Sequence, residues 1–117
     1  MDRLVYKIAP RMLWEAGEAT GVFAGASIDF EDGFIHLSSG AQVKETARLY
    51  FAGQSDLLLI GIETAALGDA LKWEASRGGA LFPHLYAPLE FSAVDFIVPL
   101  PLGPDGAHQF PDLETGR

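Results

Sequence analysis

Leu57-Leu58-Leu59-Ile60-Gly61-Ile62 is the longest apolar run in the chain, and Glu63 closes it. It is far shorter than the roughly 20 residues needed to span a bilayer. It has strand length and is apolar at nearly every position, so it reads as a central strand. Whatever the fold is, other elements must cover this one.

Candidate neighbours lie on both sides of it in the sequence. Leu4-Val5-Tyr6-Lys7-Ile8 is rich in strand formers and reads as a first strand. Pro10 suits the first position of a helix, where its missing N–H would be an orphan anyway. Arg11 to Gly17 follows as a short helix with Met12, Leu13 and Trp14 as its apolar part. Gly21 to Asp32 is rich in small residues and reads as irregular, and Asp32-Gly33 is a turn signal. Phe34 to Leu37 is a short strand. Ser39 stands three residues before Gln42, a capping-box spacing that predicts a helix over about 40–52, with Gly53 as its stop. Ala70 to Glu74 is another strand. Leu81 to Leu89 is interrupted by Pro83 and Pro88, which marks an extended loop or a sheet edge. Phe91 to Leu100 is the last strand. Strands outnumber helices and are not separated by regular helices, which favours a mixed α+β domain over a doubly wound sheet. A single domain is expected over 1–102. The stretch 103–117, rich in Gly, Pro and acid, reads as a loose tail.

The charge balance limits the partners. The chain carries a net charge of −8, and nucleic-acid affinity rests on phosphate neutralisation by Lys and Arg. No basic stripe is present, so nucleic acid is not an expected partner. Lys7, Arg11, Lys44 and Arg48 either converge in a local basic pocket or are solvated surface charges. There is no cysteine, which excludes disulfides and thiolate metal sites and fits a reducing cytoplasm. Neither a signal peptide nor a membrane span is expected.

Two segments carry the chemistry. In a strand, side chains alternate between faces, so Phe34, His36 and Ser38 share one side and Ile35 and Leu37 the other. His36 thus sits beside two hydroxyls, Ser38 and Ser39, and an expected helix N-terminus that attracts anions. Either it belongs to a site for phosphate, carboxylate or oxyanion, or it satisfies a carbonyl while Ser39 merely caps. His84 lies in Phe82-Pro83-His84-Leu85-Tyr86, where prolines stiffen the chain. Tyr86 offers a ring to stack or a hydroxyl to donate. Glu74, next to Trp73, is either a general base or a solvated acid. Metal would have to use His36, His84 and a carboxylate, with His108 in the tail. No two histidines have ligand spacing, so no metal is expected.

Val5-Tyr6-Lys7-Ile8, Gly33 to Ser38, Phe51-Ala52-Gly53, Lys72-Trp73-Glu74, Phe82 to Leu89 and Ala93-Val94, in this order, resemble the domain of unknown function 952. The resemblance covers about residues 4–102. That family is grouped by fold with ADP-ribosyltransferase-like proteins, which implies a split antiparallel sheet with a few short helices and a cleft for a nicotinamide dinucleotide. Ile35-His36-Leu37-Ser38 also resembles the His-Leu-Ser strand of RNA 2′-phosphotransferases. By this resemblance His36 holds a ribose, and Lys7 stands where a first-strand histidine is usual. Lys7, Ser38, Ser39 and Tyr86 are the implied cofactor-binding residues, and His36, His84 and Glu74 the implied catalytic ones. In that reading Lys7 and the helix N-terminus hold the pyrophosphate, Tyr86 stacks on the nicotinamide, and Glu74 stabilises a positive sugar. The ligand is a nucleotide-like small molecule, with NAD as a candidate cofactor. The other reading is a binding module that keeps the cleft without the catalytic set.

Overall fold

The computed structural model describes residues 2–117, apart from the side chain of Arg77. In chain order its main elements are β1 (Leu4–Pro10), α1 (Arg11–Glu18), β2 (Val22–Phe23), α2 (Ser27–Asp32), β3 (Ile35–His36), α3 (Val43–Tyr50), β4 (Leu57–Glu63), β5 (Leu71–Ala75), β6 (Leu81–Leu85), β7 (Leu89–Glu90) and β8 (Val94–Pro99). The fold is α+β, and its strand pairs are antiparallel.

The apolar run is the centre of one sheet, ordered β1-β4-β8. Leu59, Ile60 and Ile62 in β4 are fully buried. Removing each from water contributes roughly 1.5–3 kcal/mol. Alternation on β1 sends Tyr6 and Ile8 into a core with Val43, Ala47 and Leu59. Val5 and Ala9 point the other way, into a larger core with Trp14, Ile35, Leu37 and Ile60.

A second sheet has the order β3-β6-β5. The two sheets meet at one residue pair. Tyr6 and Ser38 exchange both backbone hydrogen bonds, at 2.8 and 2.9 Å. The sheet is therefore split, with β1 as the inner edge of one half and the β3 segment as the inner edge of the other.

Three sequence expectations change here. The Leu81–Leu89 segment is neither a loop nor an edge over its first half: β6 is the middle strand of its sheet. Within an antiparallel strand, the N–H and C=O of one residue face the same neighbour. The Pro83 carbonyl accepts from Leu37 N–H, so the donor that proline lacks falls where the β3 pairing ends. The Gly21–Asp32 stretch is not irregular throughout, since it contains β2 and α2. Residues beyond Pro101 pack back on the body: Phe110 and Leu113 lie against the β1/α3 core, and Tyr6 Oη donates to the Leu113 carbonyl. Among the described residues no helix is long and apolar enough to cross a membrane.

Candidate functional site

Lys7 shares the face of β1 that carries Val5 and Ala9, so its side chain enters the larger core and is almost fully buried. A charge there needs a partner. Asp29 on α2 supplies it: Lys7 Nζ donates to Asp29 Oδ2 at 2.9 Å, to Oδ1 at 3.2 Å and to the His36 carbonyl at 3.1 Å. Those acceptors match the three protons of an ammonium.

Asp29 is the hub. It also accepts from the backbone N–H of Ala26 at 2.7 Å and of His36 at 3.0 Å, and it contacts His36 Nδ1 at 2.6 Å. Glycine shapes the loop around it. Gly25 has φ +132°, and a Cβ there would lie 2.9 Å from Asp29 Cβ. Gly33 ends α2 in the left-handed region at φ 83°, so the chain turns directly into β3. Burial pushes the Asp29 carboxyl up. The hydrogen bond from His36, the Lys7 charge and the two backbone N–H groups outweigh it and hold the group well below the usual carboxylate range. Burial lowers Lys7, and Asp29 opposes that shift.

His36 Nε2 meets a second carboxylate, Asp32 Oδ2, at 2.9 Å. Carboxylates only accept, so both contacts are hydrogen bonds only when both ring nitrogens carry protons. Directly across the strand pair lies His84. The two imidazole centroids are 5.7 Å apart, and the Phe34 ring stacks on His84 at 4.0 Å. His84 Nδ1 contacts Glu74 Oε1 at 2.8 Å, and Tyr86 Oη donates to the same oxygen at 2.7 Å. The hydrogen bonds from Tyr86 and His84 hold Glu74 below its ordinary value.

A cleft of about 830 Å³ opens where the two half-sheets meet. Its polar lining includes Lys7, Asp32, His36, Ser38, Thr46 and His84. Tyr6, Tyr50, Phe51 and Phe82 add aromatic surface. Of the residues the sequence singled out, Lys7, His36, Ser38 and His84 line it. Glu74 and Tyr86 do not; they stand behind His84. Ser39 is buried outside it and its hydroxyl is not a helix cap. Only half of the expected capping box forms: Gln42 Oε1 accepts from Ser39 N–H, and α3 begins at Val43 rather than near Gly40. Ser38 Oγ pairs with Thr46 Oγ1 at 2.8 Å.

Sequence reasoning did not single out Asp29 as a site residue. The signal it missed was Lys7 itself, since a lysine between two core positions of a strand demands a buried acid.

Fold and site together define a small antiparallel α+β protein with a histidine-lined cleft at a split in its sheet. The chain belongs to the family described as Protein of unknown function (DUF952), which matches residues 8–97. Among solved structures it is similar to the crystal structure of protein CC0527 from Caulobacter crescentus, at 53% identity over 91% of this chain and 93% of that one, with a TM-score of 0.87. The solution NMR structure of CC0527 is similar at 52% identity over 92% of both chains, with a TM-score of 0.83. No curated protein matches the chain.

Proposed function

We propose that the cleft holds a ligand of nucleoside or nucleotide type, in an ADP-ribosyltransferase-like arrangement, with nicotinamide dinucleotides among the ligands of that class. The observation that carries this reading is the lining. Hydroxyl and imidazole groups of Ser38, Thr46, His36 and His84 face the same space as the aromatic side chains. Sugar hydroxyls need the first set and a flat base needs the second. The volume lies within the usual range for small-molecule sites, roughly 300–1,000 Å³. The split sheet supports the fold part of the reading.

The charge pattern refines it. Lys7 has its protons committed to Asp29 and His36, so it has none to spare for a pyrophosphate. Among the described residues no other lysine or arginine lines the cleft. The sugar and ring are the part recognised, and phosphates lie toward solvent. A long nucleic acid gains nothing here, because its affinity would rest on phosphate contacts.

A thermal-shift series tests this with nicotinamide riboside, adenosine, NAD and inorganic pyrophosphate. A ligand at 100 times its Kd stabilises the fold by about 2.7 kcal/mol, which is several degrees in a domain of this size. The nucleosides and NAD are expected to raise Tm, and pyrophosphate to leave it unchanged. A flat response to all three nucleoside-bearing compounds overturns the proposal.

A second reading, a binding module without turnover, is favoured by one observation: both His36 nitrogens are engaged. Release of free nicotinamide from NAD, followed by chromatography, separates it from the enzyme reading.

A further inference from the structure

We propose that Glu74 is a positioning residue that fixes the tautomer of His84, so that His84 Nε2 faces the cleft as a proton acceptor for a ligand hydroxyl. This deepens the nucleoside reading and rests on it for the identity of the hydroxyl.

Glu74 Oε1 receives Tyr86 Oη at 2.7 Å and stands 2.8 Å from His84 Nδ1. An ionised carboxylate accepts and cannot donate, so Nδ1 carries the proton. In a neutral imidazole the other nitrogen is then unprotonated. Among the described residues nothing hydrogen-bonds to Nε2. Glu74 lies outside the cleft and His84 lines it, so the ring edge opposite Glu74 is the one turned to the ligand space. Phe34 covers one face of the ring and keeps the imidazole from swinging away. The other titratable groups around it do not compete for Nε2. His36 across the strand is tied to Asp29 and Asp32, and Lys72, its neighbour on β5, donates to the Asp69 carbonyl.

The step balances. The ligand O–H bond breaks, an Nε2–H bond forms, and the electron pair stays on the ligand oxygen as it becomes a nucleophile. The imidazolium formed faces the Glu74 carboxylate, which stabilises it.

Long-range ¹H–¹⁵N spectra of the ring nitrogens test this on the free protein, with no ligand needed. The neutral His84 ring is expected to show a protonated Nδ1 and an unprotonated Nε2. Glu74→Ala is expected to move the protonated signal to Nε2, the form an unconstrained imidazole prefers. Glu74→Gln, whose amide oxygen still accepts from Nδ1, restores the wild-type pattern. A wild-type ring protonated at Nε2, or a folded Glu74→Ala protein with an unchanged pattern, overturns the assignment. Failure of the nucleoside reading would instead show as absent thermal shifts with the tautomer intact.

Discussion

Asp29 and Glu74 each hold a histidine through its Nδ1, and they do so in opposite surroundings. The Asp29 side chain is 1% exposed, carries the Lys7 charge and takes five contacts; His36, its histidine, is partly open and has a carboxylate on each nitrogen. The Glu74 side chain is 39% exposed and takes two contacts, while the histidine it holds is the buried member. The first arrangement is saturated: every polar group has its partner, and what it delivers is a fixed link between β1, α2 and β3. The second is unsaturated at one nitrogen, on the cleft side. A histidine with both nitrogens occupied is held in place, whereas one held by a single nitrogen has the other to use.

The contrast is broken or sharpened first by Asp29→Asn. It leaves Lys7 buried beside a neutral amide, and loss of one partner of a buried pair costs on the order of 3–5 kcal/mol. Urea unfolding at neutral pH should show a fall of that size. A small change would mean that the hub is no more structural than its counterpart.

Acid is the second lever. Asp29 is held well below its ordinary value of about 3.9 in the folded protein, so from about pH 3.9 downward, until the folded carboxylate itself protonates, the unfolded chain binds the proton and the native one does not. The stability Asp29 contributes is thus full above that window and drains as pH falls through it. The gap between wild type and Asp29→Asn should narrow on acidification below about pH 4. A gap independent of pH would show that the Asn variant fails through packing rather than charge.

The smallest effect is expected from Glu74→Ala. Its side chain is partly open to solvent, where ion pairs contribute little. Its unfolding midpoint should move less than that of Asp29→Asn. If it moved as far as Asp29→Asn, Glu74 would be a fold determinant and the difference between the two pairs would disappear.

The sequence carried the parts of this that depend on periodicity. Six apolar residues from Leu57 to Ile62 announced the centre of a sheet, and the alternation of Ile35 and Leu37 against His36 and Ser38 marked which pair joins the core. It did not carry α2. That helix has six residues and no side-chain cap at its start, and its key residue is an acid, a type rarely found inside unless paired. The pairing is with Lys7, 22 residues upstream, and no local pattern joins the two. Pro83 misled for a related reason. A proline costs a strand one hydrogen bond, and whether that matters depends on where the neighbouring strand stops, which is a property of the assembled sheet. The segment after Pro101 looked loose by composition because Phe110 and Leu113 are sparse among glycines and acids, yet they are enough to dock it.

The bridge between Tyr6 and Ser38 has a consequence for what can be inserted or deleted nearby. It pins Ser38 to β1, and the register of β3 on β6 pins His36 opposite His84. Between two fixed points two residues apart, the chain has no slack. Adding or removing one residue would reverse the parity of the strand and exchange its faces. His36 would turn inward among Trp14 and Ile60, leaving Asp29 and Asp32 without it, and Ile35 would turn out toward the cleft. Substitution can alter what the two positions do. Their separation is a count, and it can change only in steps of two.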